Sequence, residues 1–284
     1  MDYTSAVQVN NDVILSDIKH FDLGQILDNG QAFRWTATSP TSFTGIAHNR
    51  RLNLTLKNAT LTLHDTTLQG FETLWKPYFD LTRNYTILRQ DLSKDCQNLS
   101  RAMVFSPGLR LMKQDPWEIL ISFILSQNSN IPRIKKMISG LCEKYGTKLP
   151  CGGYTFPKAE TLAILTQEDL ADIKTGYRAA YIIDAARCTA EGRFNPTELS
   201  QKTSDEIHSQ LLKIHGVGPK VADCVLLFGF ARIERFPLDV WMKRVMTTLY
   251  PQGFPKTLQP YSGIAQQFLF HYARTSSAFD SETK

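Results

Sequence analysis

The hydrophobic period changes once along this chain, and that single change limits what the chain can build. Before about residue 84 the apolar residues alternate. Leu52, Leu54 and Leu56 share one face, and Leu61 and Leu63 continue the period of two beyond Lys57-Asn58-Ala59. Alternation of this kind marks a half-buried antiparallel hairpin. Gln31 to Trp35 sets Phe33 and Trp35 among polar neighbours and reads as a further strand, entered through the turn Asp28-Asn29-Gly30. Gly30 can take the positive φ that such a turn asks for. From about Asn84 onward the apolar residues recur at three and four, and the period of two does not return. The expected class is α+β: an antiparallel sheet over residues 1–103, with a few flanking helices, then a mostly helical part over 104–284.

Helix signals in the second part are local and specific. Pro116 after Asp115 fits a first helical position, where its missing N–H costs nothing. Trp117, Leu120, Ile121, Ile124 and Leu125 then form an apolar stripe that runs into the polar cluster Ser126-Gln127-Asn128-Ser129-Asn130, a break or cap. Ile131, Ile134, Met137, Ile138 and Leu141 predict the next helix, and residues 148–157 a Pro/Gly loop. A helix over Tyr177 to Cys188 is entered through Gly176. Thr203 with Glu206 three residues on is a capping box, starting a helix that ends at His215. After Asp239 the pattern predicts a helix through about Leu249, a Pro/Gly-rich loop to Pro260 and a last helix carrying Ile264, Phe268 and Phe270. A polar, loose tail over Thr275 to Lys284 closes the chain.

Composition removes several function classes. The longest apolar segments are about a dozen residues, too short to span a bilayer, and Met1 to Asn10 lacks a signal-peptide pattern. Five scattered cysteines offer neither a C-x-x-C pair nor a disulfide framework and read as reduced intracellular thiols. Six histidines do not cluster with cysteine or acid, so neither a metal nor a cofactor is expected. A net charge of +5 permits an anionic partner without demanding one.

Leu211 to Asp239 carries the chemistry. Gly216-Val217-Gly218 joins two apolar helices, and the second begins Pro219-Lys220. Backbone N–H groups at such a helix start suit a phosphate oxygen, which positions a nucleic acid without reading it. An ordinary αα-hairpin would use the same glycines for a sharp turn. Lys220 sits at the helix end where a cation is least favoured, which lowers the cost of deprotonating it. An amine must be neutral to attack, so this is a place for a nucleophile, although surface lysines also occur at helix starts. Asp239, after Phe236-Pro237-Leu238, fits a helix cap, and a capped carboxylate can also face developing positive charge.

Those residues, Gly216 to Cys224 with Asp239, resemble the helix-hairpin-helix, Gly/Pro loop and aspartate of a DNA glycosylase superfamily. Within it the chain is similar to the 8-oxoguanine DNA glycosylases with lyase activity. Gly30-Gln31-Ala32-Phe33-Arg34-Trp35, Gln114-Asp115-Pro116, Ser122-Phe123-Ile124, Asn130-Ile131-x-Arg133-Ile134 and Gly176-Tyr177-Arg178-Ala179 extend the match along nearly the whole chain. The resemblance implies Lys220 as the nucleophile and Asp239 as its partner facing the sugar. It implies a lesion pocket in which the Gly30 carbonyl accepts from the N7–H carried only by the oxidised purine, Cys224 and Phe270 sandwich the base, and Gln266 meets its pairing edge. Asn128, Arg133 and Arg178 would meet the estranged cytosine, with Tyr177 wedging into the opposite strand. The partner implied is double-stranded DNA containing 8-oxoguanine, bound by a monomer with no membrane, in a prokaryotic cytoplasm or nucleoid and otherwise in a nucleus.

Two departures stand out. Of three successive asparagines familiar in eukaryotic members, only Asn128 and Asn130 occupy their places, and Trp241 replaces a histidine near the flipped nucleotide's phosphate. Rival readings are a related glycosylase of different lesion specificity and a non-catalytic helix-hairpin-helix DNA-binding protein. The chain has no cysteine after Cys224 for the iron–sulfur cluster of endonuclease III-like members. The alkylpurine-type members lack the lysine, so Lys220 argues against them.

Overall fold

The computed structural model describes residues 1–94, 96–276 and 279. Six strands form one antiparallel sheet in the order β1-β2-β6-β5-β4-β3: β1 Ser5–Val9, β2 Asp12–Ser16, β3 Trp35–Ser39, β4 Ser42–Ala47, β5 Arg50–Lys57 and β6 Thr60–His64. The turns His48-Asn49 and Asn58-Ala59 have positive φ at both residues, from 48 to 60°. That twist matches two-residue hairpins. Leu54 of β5 faces Leu63 of β6, and both are buried, as the alternation predicts. With Val13, Leu15, Trp35, Phe43, Leu52 and Leu61 they form the first core, which Trp75, Tyr78 and Phe79 cover.

Phe33 does not belong to this sheet. The strand begins at Trp35, and the alternation over Gln31 to Trp35 reflects a chain passing between two cores: Trp35 enters the first and Phe33 the second.

The helices that matter to the site follow: α1 Pro116–Leu125, α2 Ile131–Tyr145, α3 Arg178–Ala190, α4 Ser204–Leu211, α5 Pro219–Cys224, α6 Val240–Leu249 and α7 Ser262–Thr275. Asp115 caps α1 by accepting from Glu118 N–H, Asn130 caps α2 through Arg133 N–H, and the Thr203–Glu206 capping box is complete at α4. Such caps are worth about 1 kcal/mol each.

Four local expectations change. Ile119 through Leu125 are all buried, so α1 is the centre of the second core rather than an amphipathic surface helix. A helix apolar on every side packs there because others surround it. α4 ends at Leu211, with turns replacing the final residues to His215. The Pro/Gly-rich loop contains a 3-10 helix, Lys256–Tyr261, with Pro260 inside it. Of the tail, Thr275 closes α7 and Phe279 is buried in the second core. Residues 277–278 and 280–284 lie outside the described residues. Among the described residues no helix is long and apolar enough to cross a membrane.

Candidate active site

One cavity of about 360 Å³ opens where the two cores meet, and Lys220, Asp239, Gly30, Cys224, Gln266 and Phe270 all line it. These six come from four separated stretches, so the fold assembles what the sequence only lists in order.

Lys220 is the second residue of α5. Its Nζ donates to Ser126 Oγ at 3.2 Å and stands 4.9 Å from the centre of the Phe123 ring. A cation at that range is held by the negative face of the ring. Phe123 is itself stacked on Phe228, with centroids 5.3 Å apart and planes 7° from parallel. Asp239 caps α6, its Oδ1 accepting from Met242 N–H at 2.8 Å. That bond fixes the half-buried carboxylate at the cavity edge. Among the described residues no ion pair closer than 4.0 Å joins it to Lys220. The space between them is part of the cavity, where a sugar could enter.

Gly30 has φ +92°, and a Cβ there would lie 3.0 Å from Ile131 Cδ1 and 3.8 Å from the Phe270 ring. The positive φ favours glycine, and any side chain would also push Ile131 aside, whereas the Phe270 ring would be at ordinary contact distance. The next residue, Gln31, is fully buried and fastens this turn. Its Nε2 donates to the Ile26 and Arg110 carbonyls at 3.0 and 2.8 Å, and its Oε1 accepts from Met112 N–H at 2.9 Å. Gln114 Nε2 reaches the Gln31 carbonyl at 2.7 Å. Lys135 of α2 adds a 2.7 Å ion pair to Asp28.

Cys224 is buried, and burial pushes its thiol up to about 12, against the opposing pull of the nearby Lys220 charge. It is therefore a neutral, polarizable wall rather than a thiolate. Phe270, half-buried on α7, has the Arg274 guanidinium 5.8 Å from its centroid. Gln266 is buried, with its Nε2 donating to the Pro237 carbonyl at 3.1 Å.

The hairpin glycines differ from each other. Gly216 has φ +81°, and a Cβ there would collide with the Tyr181 ring. Gly218 has an ordinary φ of −95° as the residue before α5. Val217 is buried, and its N–H closes the turn on the Ile214 carbonyl at 3.0 Å. Gln127 Nε2 ties the hairpin to the turn after α1 by donating to the Gly216 carbonyl at 3.0 Å.

The remaining four predicted residues lie outside the cavity, along the turn after α1, the first turn of α2 and the start of α3. Asn128 is exposed with φ +47°, Arg133 is exposed, and Tyr177 is half exposed and rests edge-on against Tyr181. Arg178 is not a free cation. It is 3% exposed, and its guanidinium donates to the carbonyls of Gln127, Asn128 and Thr175 while Tyr177 covers it.

Sequence reasoning missed Ser126, the partner of Lys220, and the aromatic floor of Phe33, Phe123 and Phe228. The polar cluster after α1 was the visible signal for the first. Nothing in the sequence distinguishes the floor from ordinary core.

Residues 13–120 match the 8-oxoguanine DNA glycosylase N-terminal domain, and residues 121–257 match the HhH-GPD superfamily of base excision DNA repair proteins. A probable N-glycosylase/DNA lyase of Methanothermobacter thermautotrophicus is 32% identical over 71% of this chain and 73% of its own. This chain belongs to the 8-oxoguanine DNA glycosylase/lyase family. Among solved structures, Clostridium acetobutylicum 8-oxoguanine glycosylase/lyase, in complex with DNA containing cytosine opposite 8-oxoguanine, is 35% identical. It superposes with a TM-score of 0.90 over 96% of this chain and 99% of that one. MBOgg1, in complex with a low affinity DNA ligand, is 40% identical with the same TM-score and the same coverage. The sheet and the helical part of this glycosylase thus recur together, in chains of nearly equal extent.

Proposed function

We propose that the protein is a bifunctional DNA glycosylase that removes 8-oxoguanine, paired with cytosine, and then cleaves 3′ to the abasic site. The observation that carries this reading is the convergence of Lys220, Asp239 and the Gly30 turn on one cavity of about 360 Å³. Such a cavity accommodates a single base drawn out of the duplex, and the reacting C1′ is out of reach until the nucleotide is flipped.

In this reading the flipped base lies between Cys224 and Phe270, with the Gly30 carbonyl accepting its N7–H. Normal guanine presents a lone pair there, so repulsion replaces a bond. Neutral Lys220 attacks C1′ as the C1′–N9 bond breaks, and the base departs with the bond's electron pair and takes up a proton. The sugar ring opens to a Schiff base on Nζ. Loss of a C2′ proton then breaks the C3′–O bond and releases the 3′ phosphate. Asp239 stabilises the positive charge that builds on the sugar. No cofactor or metal enters any of these steps.

Gly216, Val217 and Gly218 hold the DNA backbone through N–H groups, chiefly those of the two glycines. Asn128, Arg133, Tyr177 and Arg178 face the opposite strand, Arg178 mainly by holding the Gln127-Asn128 turn. Trp241 carries the Arg244 guanidinium 5.1 Å from its ring. A fixed cation at this edge takes the place of the family's histidine toward phosphate. The protein acts as a monomer on chromosomal DNA, in a prokaryotic cytoplasm or nucleoid and otherwise in a nucleus, and residues 1–103 and 104–284 are its two domains.

The decisive experiment is borohydride trapping on a duplex with one 8-oxoguanine opposite cytosine. A covalent adduct and base release are expected, and absence of both refutes the reading. Lys220→Gln should abolish both while leaving lesion binding within a few fold. A parallel loss of binding would mark Lys220 as a phosphate contact instead.

A further inference from the structure

Ser126 follows the last residue of α1 and lines the cavity, and its two side-chain hydrogen bonds run in fixed directions. Were the helix to continue, the Phe123 carbonyl would accept from the N–H of Gln127. That N–H turns instead to the Ile124 carbonyl at 3.3 Å. The Ser126 hydroxyl takes its place, donating to the Phe123 carbonyl at 2.8 Å. A carbonyl has no proton to give, so the hydroxyl proton is committed to that bond. Toward Lys220 Nζ, 3.2 Å away, Ser126 Oγ can therefore only accept. The Phe123 ring, with its centre 4.9 Å from Nζ, likewise offers negative charge to N–H groups. Phe123 thus acts twice on the amine, through its ring and, by way of Ser126, through its carbonyl.

We infer that Ser126 is a positioning residue for the nucleophile: held as an acceptor by the Phe123 carbonyl, it draws one N–H of Lys220 and leaves the lone pair of the neutral amine free for C1′. This rests on Lys220 being the nucleophile and deepens that reading. A neutral amine has two N–H bonds and one lone pair. Ser126 Oγ takes one N–H and the ring face favours the other. Both repel the lone pair, which is left for the cavity that Lys220 lines. A hydroxyl free to rotate would donate to the nitrogen instead and tie up the electrons that must attack. Cys224 also interacts with Lys220, but a neutral thiol is a weak donor and gives up that lone pair readily.

The test compares three measurements: single-turnover excision of 8-oxoguanine opposite cytosine, the rate of borohydride trapping on a preformed abasic site, and affinity for a duplex carrying a tetrahydrofuran abasic analogue. In Ser126→Ala the first two should slow by the same factor, about 10- to 100-fold, because both need the nitrogen aimed at C1′. Affinity should stay within about twofold. Ser126→Thr keeps the hydroxyl and both bonds and should recover the two rates to within about threefold of the parent. Rates in Ser126→Ala within about twofold of the parent overturn the inference. So does slowed excision with abasic trapping retained, or affinity lost in step with rate, since either marks a merely structural turn. Ser126→Thr as slow as Ser126→Ala, with an unchanged urea unfolding midpoint, overturns it as well. If Ser126→Ala fails to fold, the nearly isosteric Ser126→Cys carries the test: sulfur is the poorer acceptor, so both rates should fall together, and parental rates refute the inference. A parent protein that neither excises 8-oxoguanine nor is trapped defeats the functional reading instead.

Discussion

Arg178→Met tests whether the guanidinium is architecture or a reader of the opposite base. The side chain is 3% exposed and spans three carbonyls, with Nε to Gln127 at 2.8 Å, Nη2 to Asn128 at 2.9 Å and Nη1 to Thr175 at 3.1 Å. Asn128 is exposed, so water replaces that bond in the variant. The Thr175 and Gln127 carbonyls lose donors in more enclosed positions. Bonds to a charged donor contribute about 1.5–3 kcal/mol each, and two sharing one guanidinium do not add fully, so the expected loss is about 3 kcal/mol.

The functional effect follows from what the turn holds. Gln127 is tied to the hairpin at Gly216, and Ser126 anchors Lys220. Loosening the turn should slow excision opposite every base alike. Arg178→Lys keeps the charge but cannot span three carbonyls and should recover little. Urea unfolding and single-turnover excision opposite each of the four bases check both statements. Stability within about 1 kcal/mol of the parent, with selectivity for cytosine lost, would refute the reasoning and make Arg178 the reader.

Three further outcomes are expected. Gln31→Leu leaves its three buried backbone partners unpaired, and should cost about 2 kcal/mol or more in urea unfolding and weaken discrimination between 8-oxoguanine and guanine. Glu118, paired with Arg34 at 3.2 Å, is raised by burial from 4.5 to about 7. Between those values the folded state binds more protons than the unfolded one, so stability should fall by about 3 kcal/mol as pH rises from 4.5 to 7. Glu118→Gln should flatten that slope, as unfolding midpoints across pH will report. Arg244→Gln should reduce the salt dependence of DNA binding by about one phosphate contact, while borohydride trapping of 8-oxoguanine duplexes persists at low salt.

How far the sequence could be read depended on distance along the chain. The caps at Asp115, Asn130 and Thr203 were legible because donor and acceptor lie three residues apart. So was the hairpin, whose alternation survives in the Leu54–Leu63 pairing. Lys220 and Asp239 were legible as a pair because one short stretch holds both. Phe33 and Trp35 misled because alternation cannot tell one sheet face from a crossing between two cores. The burial of Arg178 was invisible, since its carbonyl partners at Gln127 and Asn128 are about fifty residues away.

In the proposed reading, the Gly30 acceptor and the Lys220 nucleophile reach one cavity from different parts of the chain. Gly30 leaves the sheet side, and Lys220 stands on the helical side. What holds the acceptor at its distance from the nucleophile is the set of bonds across the junction. Gln114 binds the Gln31 carbonyl, Lys135 binds Asp28, and Arg274 Nη2 reaches the Asp28 carbonyl at 3.2 Å. The Phe33 ring packs against Phe123, which also lies under the Lys220 amine. A change that loosens this junction should therefore lower excision of 8-oxoguanine without touching any group that contacts it. Reactivity toward a preformed abasic site should survive better, because that step needs Lys220 but no base in the pocket. The ratio of those two activities measures the junction rather than the nucleophile.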